Sequence, residues 1–71
     1  MIKVLIADDE RFTRQGILDM VDWDKLNVSE VKEAYDGINA LEILKDFEPN
    51  ILLTDINYHA VLIIYISLEP L

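Results

Sequence analysis

Two short stretches of this chain are almost continuously apolar, and each runs straight into acids. Ile2-Lys3-Val4-Leu5-Ile6-Ala7 leads into Asp8 and Asp9, and Ile51-Leu52-Leu53-Thr54 leads into Asp55. Runs this short, rich in β-branched residues and without apolar–polar alternation, read as strands buried on both faces. Strands of that kind belong to parallel sheets covered by helices. Joining two parallel strands takes a crossover of about a dozen residues or more, usually a helix, so the segments between must be read for helical spacing.

From Glu10 to about Val21 the spacing predicts a helix. Ile17, Met20 and Val21 share a face, with Phe12 or Thr13 one turn below, while Arg11, Arg14, Gln15 and Asp19 face water. Gly16 lies in that helix interior, where glycine costs about 1 kcal/mol, and its small size is expected to permit close approach to the sheet. Residues 22–27 read as a connection, with Trp23 and Leu26 folding back as a lid over the bottom of the core. A strand is expected over Val28 to Ala34, with Val31 and Ala34 inward; Glu30, Lys32 and Glu33 give it the polarity of an edge strand. Asp36 is a helix N-cap before Gly37, and Ala40, Leu41, Leu44 and Phe47 recur at helical spacing. Pro49 stops that helix, since the residue before a proline is driven out of the right-handed helical region. The order is βαβαβ, and right-handed crossovers make it an α/β unit with a parallel sheet.

The last segment breaks the rhythm. Only Ile56, Asn57 and Tyr58 separate Asp55 from a strand-like run over His59 to Ser67, too few for a parallel return. The run is an antiparallel edge strand, a pairing element for another chain, or an unstructured tail. Val61 to Ile66 carries no charge, which makes it an aggregation hazard when exposed.

Composition removes several functions. The chain has 71 residues, enough for one small domain with a thin stability margin. It has no cysteine and one histidine, so disulfides, thiolate metal sites and multi-histidine zinc sites are excluded. Lys and Arg total 6 against 14 Asp and Glu, for a net charge of -8, which opposes direct nucleic-acid binding. No signal peptide is legible, and the apolar stretch from Ala60 to Ile66 is seven residues against the roughly 20 a membrane helix needs. A cytoplasmic location with no membrane partner is expected.

If the two apolar runs are neighbouring parallel strands, Asp8, Asp9 and Asp55 meet at the carboxyl edge of the sheet, where open α/β proteins place their sites. Acids that close resist common ionisation unless a cation sits among them. A hard divalent ion with oxygen ligands, such as Mg²⁺, is the natural occupant.

Together these residues resemble the amino-terminal part of a bacterial two-component response-regulator receiver domain. The resemblance rests on Val4 to Glu10, on Leu52-Leu53-Thr54-Asp55-Ile56, and on Ala34-Tyr35-Asp36-Gly37 through Ala40-Leu41. Val21-Asp22-Trp23 and Leu26 resemble the subgroup fused to AraC-type DNA-binding domains. It implies a partial flavodoxin-like or CheY-like sheet of strand order 2-1-3. It also implies that Asp55 accepts a phosphoryl group from a sensor histidine kinase, with Mg²⁺ held by Asp9 and Asp55, Asp8 assisting through water, and the backbone carbonyl of Asn57 completing the protein ligands.

The departures are as specific. Asn57-Tyr58-His59 stand where the family usually has a basic or polar residue, Met and Pro. Ser67 lies twelve residues after Asp55, too close to take the part of the family's Ser or Thr, and no lysine follows Lys45. The chain reads as residues 1–56 of a receiver, truncated or frameshifted, followed by a divergent hydrophobic tail over 57–71.

The leading expectation is a phosphorelay module, not an enzyme, whose ancestral output is control of transcription. The alternative is a non-phosphorylatable interaction fragment or inert remnant, self-associating through the open sheet edge or the tail. A phosphatase with Asp55 as nucleophile and Asp9 as acid ranks third, since no substrate-binding or cap segment fits. Blander assignments stand for the neighbours: Glu10 as a helix-start acid, Trp23 as a core-edge aromatic capping the first helix, Thr54 pointing away from Asp55, and His59 as a solvent or linker residue. Tyr58 and Tyr65 carry no functional inference.

Overall fold

A computed structural model describes residues 1–57 and 60–65, and for residues 55–57 and 60–65 it describes the backbone alone. The elements run β1 (Ile2–Ala7), α1 (Arg11–Met20), β2 (Val28–Ala34), α2 (Gly37–Phe47), β3 (Ile51–Asn57) and β4 (Ala60–Tyr65). They build one sheet in the order β2-β1-β3-β4. β1 pairs parallel with β2 and with β3, and β4 pairs antiparallel with β3. The expected 2-1-3 parallel α/β unit is therefore present, with β4 added beside β3. Of the three fates open to the last run, the backbone takes the antiparallel edge strand; Tyr58, His59 and Ser67 lie outside the described residues.

β1 earns its central place by composition. Val4, Leu5 and Ile6 are 2%, 0% and 1% exposed, as a strand covered on both faces requires. Leu5 and Ala7 meet Ala34, Ala40 and Phe47, with Ile43, Leu44 and Leu52 packed around them. Val4 and Ile6 alternate onto the other face. Because β1 to β2 and β2 to β3 step across the sheet in opposite directions, two right-handed crossovers set α1 and α2 on opposite faces.

α2 follows its local signals. The Asp36 carboxylate accepts from the Asn39 N–H at 2.7 Å, and the Asn39 side-chain oxygen accepts from the Tyr35 N–H at 3.2 Å. These bonds satisfy donors that a helix start leaves free. At the other end Glu48 takes a left-handed conformation (φ 50°) before buried Pro49. Lys3 reaches across from β1, its ammonium donating to the Phe47 carbonyl at 2.6 Å. The connection after α1 closes through Asn27 (φ 61°), a residue type that tolerates this conformation, and the Val28 N–H donates to the Trp23 carbonyl at 2.9 Å.

Several expected inward residues are corrected. Met20 and Phe12 are 81% and 82% exposed; of the two residues offered one turn below, Thr13 is the half-buried one, and that face of α1 runs through Thr13, Arg14, Ile17 and Leu18 to Val21 at its C-cap. Leu41 is exposed and Ile43 takes its place in the core. Leu26 is also exposed, so Trp23 alone folds back: its indole N–H donates to the Leu18 carbonyl at 3.1 Å, capping α1. The close approach expected at Gly16 is absent, since a Cβ there would meet nothing within 4 Å. Residues 51–54 of β3 are half-buried rather than buried. The physical reason is shared. One helix per face, over a sheet with β4 beside β3, shields Val4 to Ala7 of β1 and covers the neighbouring strands partly.

Candidate functional site

The carboxyl edge of the sheet is built by register. Ala7 of β1 has Ala34 of β2 and Thr54 of β3 as its Cα partners. One residue further along come Asp8, directly after β1, and Asp55 within β3. The parallel pairing thus brings Asp8 and Asp9 to the same sheet edge as the backbone of Asp55 and Asn57. The side chains of Asp55 and Asn57 lie outside the described residues. Among the described residues no group of three or more His, Cys, Asp or Glu is gathered to hold a metal ion.

The two adjacent acids differ in environment. Asp8 is 9% exposed, and its backbone extends the ladder, the N–H donating to the Ala34 carbonyl at 3.0 Å. Its Oδ1 accepts from the Glu10 N–H at 2.7 Å, turning the chain out of the strand. Its carbonyl accepts from Arg14 Nη1 at 2.6 Å. Asp9 is exposed at the tip of this turn. Glu10 is the N-cap of α1, its carboxylate accepting from the Phe12 N–H at 3.2 Å, which places it in the helix start as the sequence implied.

Arg14 is the residue that sequence reasoning sent to solvent and the structure turns inward. Its side chain is 14% exposed, and besides Asp8 it reaches Glu33 of β2, Nε to Oε1 at 3.2 Å. The signal was faint: a cation one turn past the N-cap, and an acid at the end of the neighbouring strand.

A turn that offers hard carboxylate oxygens at a sheet edge fits an oxygen-liganded divalent ion by donor chemistry. The Asp8 carboxylate accepts from the Glu10 N–H through Oδ1, and Asp9 is exposed.

Comparison with curated proteins gives likenesses over 56 residues, 79% of this chain. The chain is 41% identical to an uncharacterized response regulatory protein of Staphylococcus epidermidis RP62A and 39% identical to another of S. epidermidis ATCC 12228. It is 36% identical to the transcriptional regulatory protein HptR of Staphylococcus aureus NCTC 8325. The chain spans about a fifth of the length of these relatives, the matched part being 22% of each. No family model matches the chain, and no solved structure matches it significantly.

Proposed function

With homologues named response regulatory and transcriptional regulatory proteins supporting a response-regulator fragment, we propose that this chain is a receiver-like phosphorelay module whose Asp55 accepts a phosphoryl group. What carries the reading is the pairing of Ala7 with Thr54, which sets the acids after β1 beside the end of β3. The donor is the phosphohistidine of a sensor histidine kinase. One Asp55 carboxylate oxygen attacks phosphorus, the P–N bond breaks, and the imidazole leaves with the electron pair and takes up a proton. The product is an acyl phosphate on Asp55.

Asp8, Asp9, Asp55 and the backbone carbonyl of Asn57 would hold Mg²⁺. When bound, the ion offsets the repulsion between an anionic phosphoryl group and the surrounding acids. Asp8 is held by its three hydrogen bonds at the end of β1, and so anchors the turn that presents Asp9. The setting is cytoplasmic, and the output is control of transcription through a DNA-binding domain of the AraC type. The latter rests on the resemblance around Val21-Asp22-Trp23.

The test is intact-mass spectrometry after incubation with acetyl phosphate and Mg²⁺. The parent chain is expected to gain the mass of one phosphoryl group, and Asp55→Asn and a chelator-treated sample to gain none. An adduct that persists in Asp55→Asn, or none in the folded parent, overturns the reading.

A second reading has one observation in its favour. β4 lies at an edge of the sheet formed by the described residues and carries no charged residue, as an element of self-association would. On that reading the chain is an interaction fragment, and its association is indifferent to Asp55→Asn.

A further inference from the structure

Arg14 joins three elements at the acid edge. It belongs to the first turns of α1, its Nη1 bonds the Asp8 carbonyl at 2.6 Å, and its Nε bonds Glu33 of β2 at 3.2 Å. An ion pair with a carboxylate that is 41% exposed repays little of the entropy lost in fixing a long side chain. The bond to the Asp8 carbonyl is the partly buried one. It closes a set around Asp8, whose N–H is held by Ala34 and whose Oδ1 is held by the Glu10 N–H. Asp8 on one side and the N-cap Glu10 on the other thus anchor the turn, and the exposed residue between them is Asp9.

We propose that Arg14 is a positioning residue for the acid edge: by tying the Asp8 carbonyl to Glu33 it fixes the direction in which Asp9 presents its carboxylate to a divalent cation. The inference rests on the reading of that edge as a Mg²⁺-binding site. It explains why arginine suits the position. A planar guanidinium donates along two directions at once, whereas a lysine ammonium on its single stem cannot reproduce the fork. It also places a cation beside the adjacent acids Asp8, Asp9 and Glu10 of a chain with net charge -8.

The experiment is a Mg²⁺ titration of the whole chain, followed by the amide resonances of Asp9 and Glu10 in two-dimensional spectra. Arg14→Gln is expected to keep the dispersed amides of Val4 to Ile6 and Ala40 while shifting the Mg²⁺ midpoint about tenfold higher, the usual scale for losing a group that orients a ligand. Arg14→Lys, which keeps the charge and one donor, is expected to fall between. A dispersed Arg14→Gln spectrum with the parent midpoint overturns the inference alone. A parent spectrum indifferent to Mg²⁺ overturns the reading of the acid edge itself, and the inference with it. If Arg14→Gln loses dispersion, Arg14→Lys decides: a weakened midpoint in that folded variant supports the role, and an unchanged one overturns it.

Discussion

Gly16 sits in the interior of α1 facing open space, with nothing within 4 Å of where a Cβ would stand. Glycine there has no steric purpose to offset the conformational freedom it surrenders on folding. Gly16→Ala is expected to stabilise the chain by about 1 kcal/mol, read as a higher urea midpoint with an unchanged slope. A midpoint that stays or falls would mean the helix is not formed as described. Asp36 shows the opposite economy. One carboxylate satisfies the Asn39 N–H, and Asn39 in turn satisfies Tyr35, so two short side chains define where α2 begins.

The two helices are held by different means. α2 buries Ala40 and Phe47 and is bonded at both ends, by Asp36 at its start and by Lys3 at its finish. Lys3 also lies over the Phe47 ring, 5.3 Å from its centroid, with Lys32 at 4.8 Å. Asn50 completes this corner: its N–H donates to the Lys3 carbonyl at 2.8 Å, and its side-chain oxygen accepts from the Lys3 N–H at 2.9 Å. Lys3→Met keeps the apolar stem and removes the donor. It is expected to cost about 1 kcal/mol and to speed hydrogen exchange in the last turn of α2. Equal exchange in the two proteins would show that the ammonium contributes nothing there. α1 has no fully buried residue and leans on Arg14 and on the Trp23 indole.

Taken as a whole, the sheet has two unlike edges. β2 carries Ser29, Glu30, Lys32 and Glu33, charges and polarity that deter pairing with a second chain. β4, Ala60–Tyr65, has no such guard. It covers β3, in register from Ile51 opposite Tyr65 to Asp55 opposite Val61, and becomes the edge in its place. Self-association through β4 is therefore expected as concentration rises, and Leu62→Lys is expected to shift the sedimentation profile toward monomer. A parent that stays monomeric, or a variant that associates equally well, would exclude β4 as the contact.

Strand β1, strand β2 and the start of α2 were legible residue by residue. Their signals are local: a β-branched apolar run, a polar strand ending on alanine, an acid before a glycine. The place of Asp8 and Asp9 at the sheet edge was legible for the same reason, since they follow β1 directly in the chain, whereas β3 runs on through Asp55 to Asn57. The faces of the helices were not. Periodicity groups Ile17 with Met20 and Ala40 with Leu41, but burial depends on which flank of a helix meets the sheet, and that kept Ile17 and Ala40 while taking Leu18 over Met20 and Ile43 over Leu41. Arg14 escaped notice because its partners are a carbonyl six residues earlier and a carboxylate nineteen residues later, brought near only by the pairing of β1 with β2. The last run could pair, reach another chain or hang free on local grounds alone. Its place beside β3 followed from the backbone groups that an unpaired parallel strand leaves without partners, a demand that exists only once the sheet has formed.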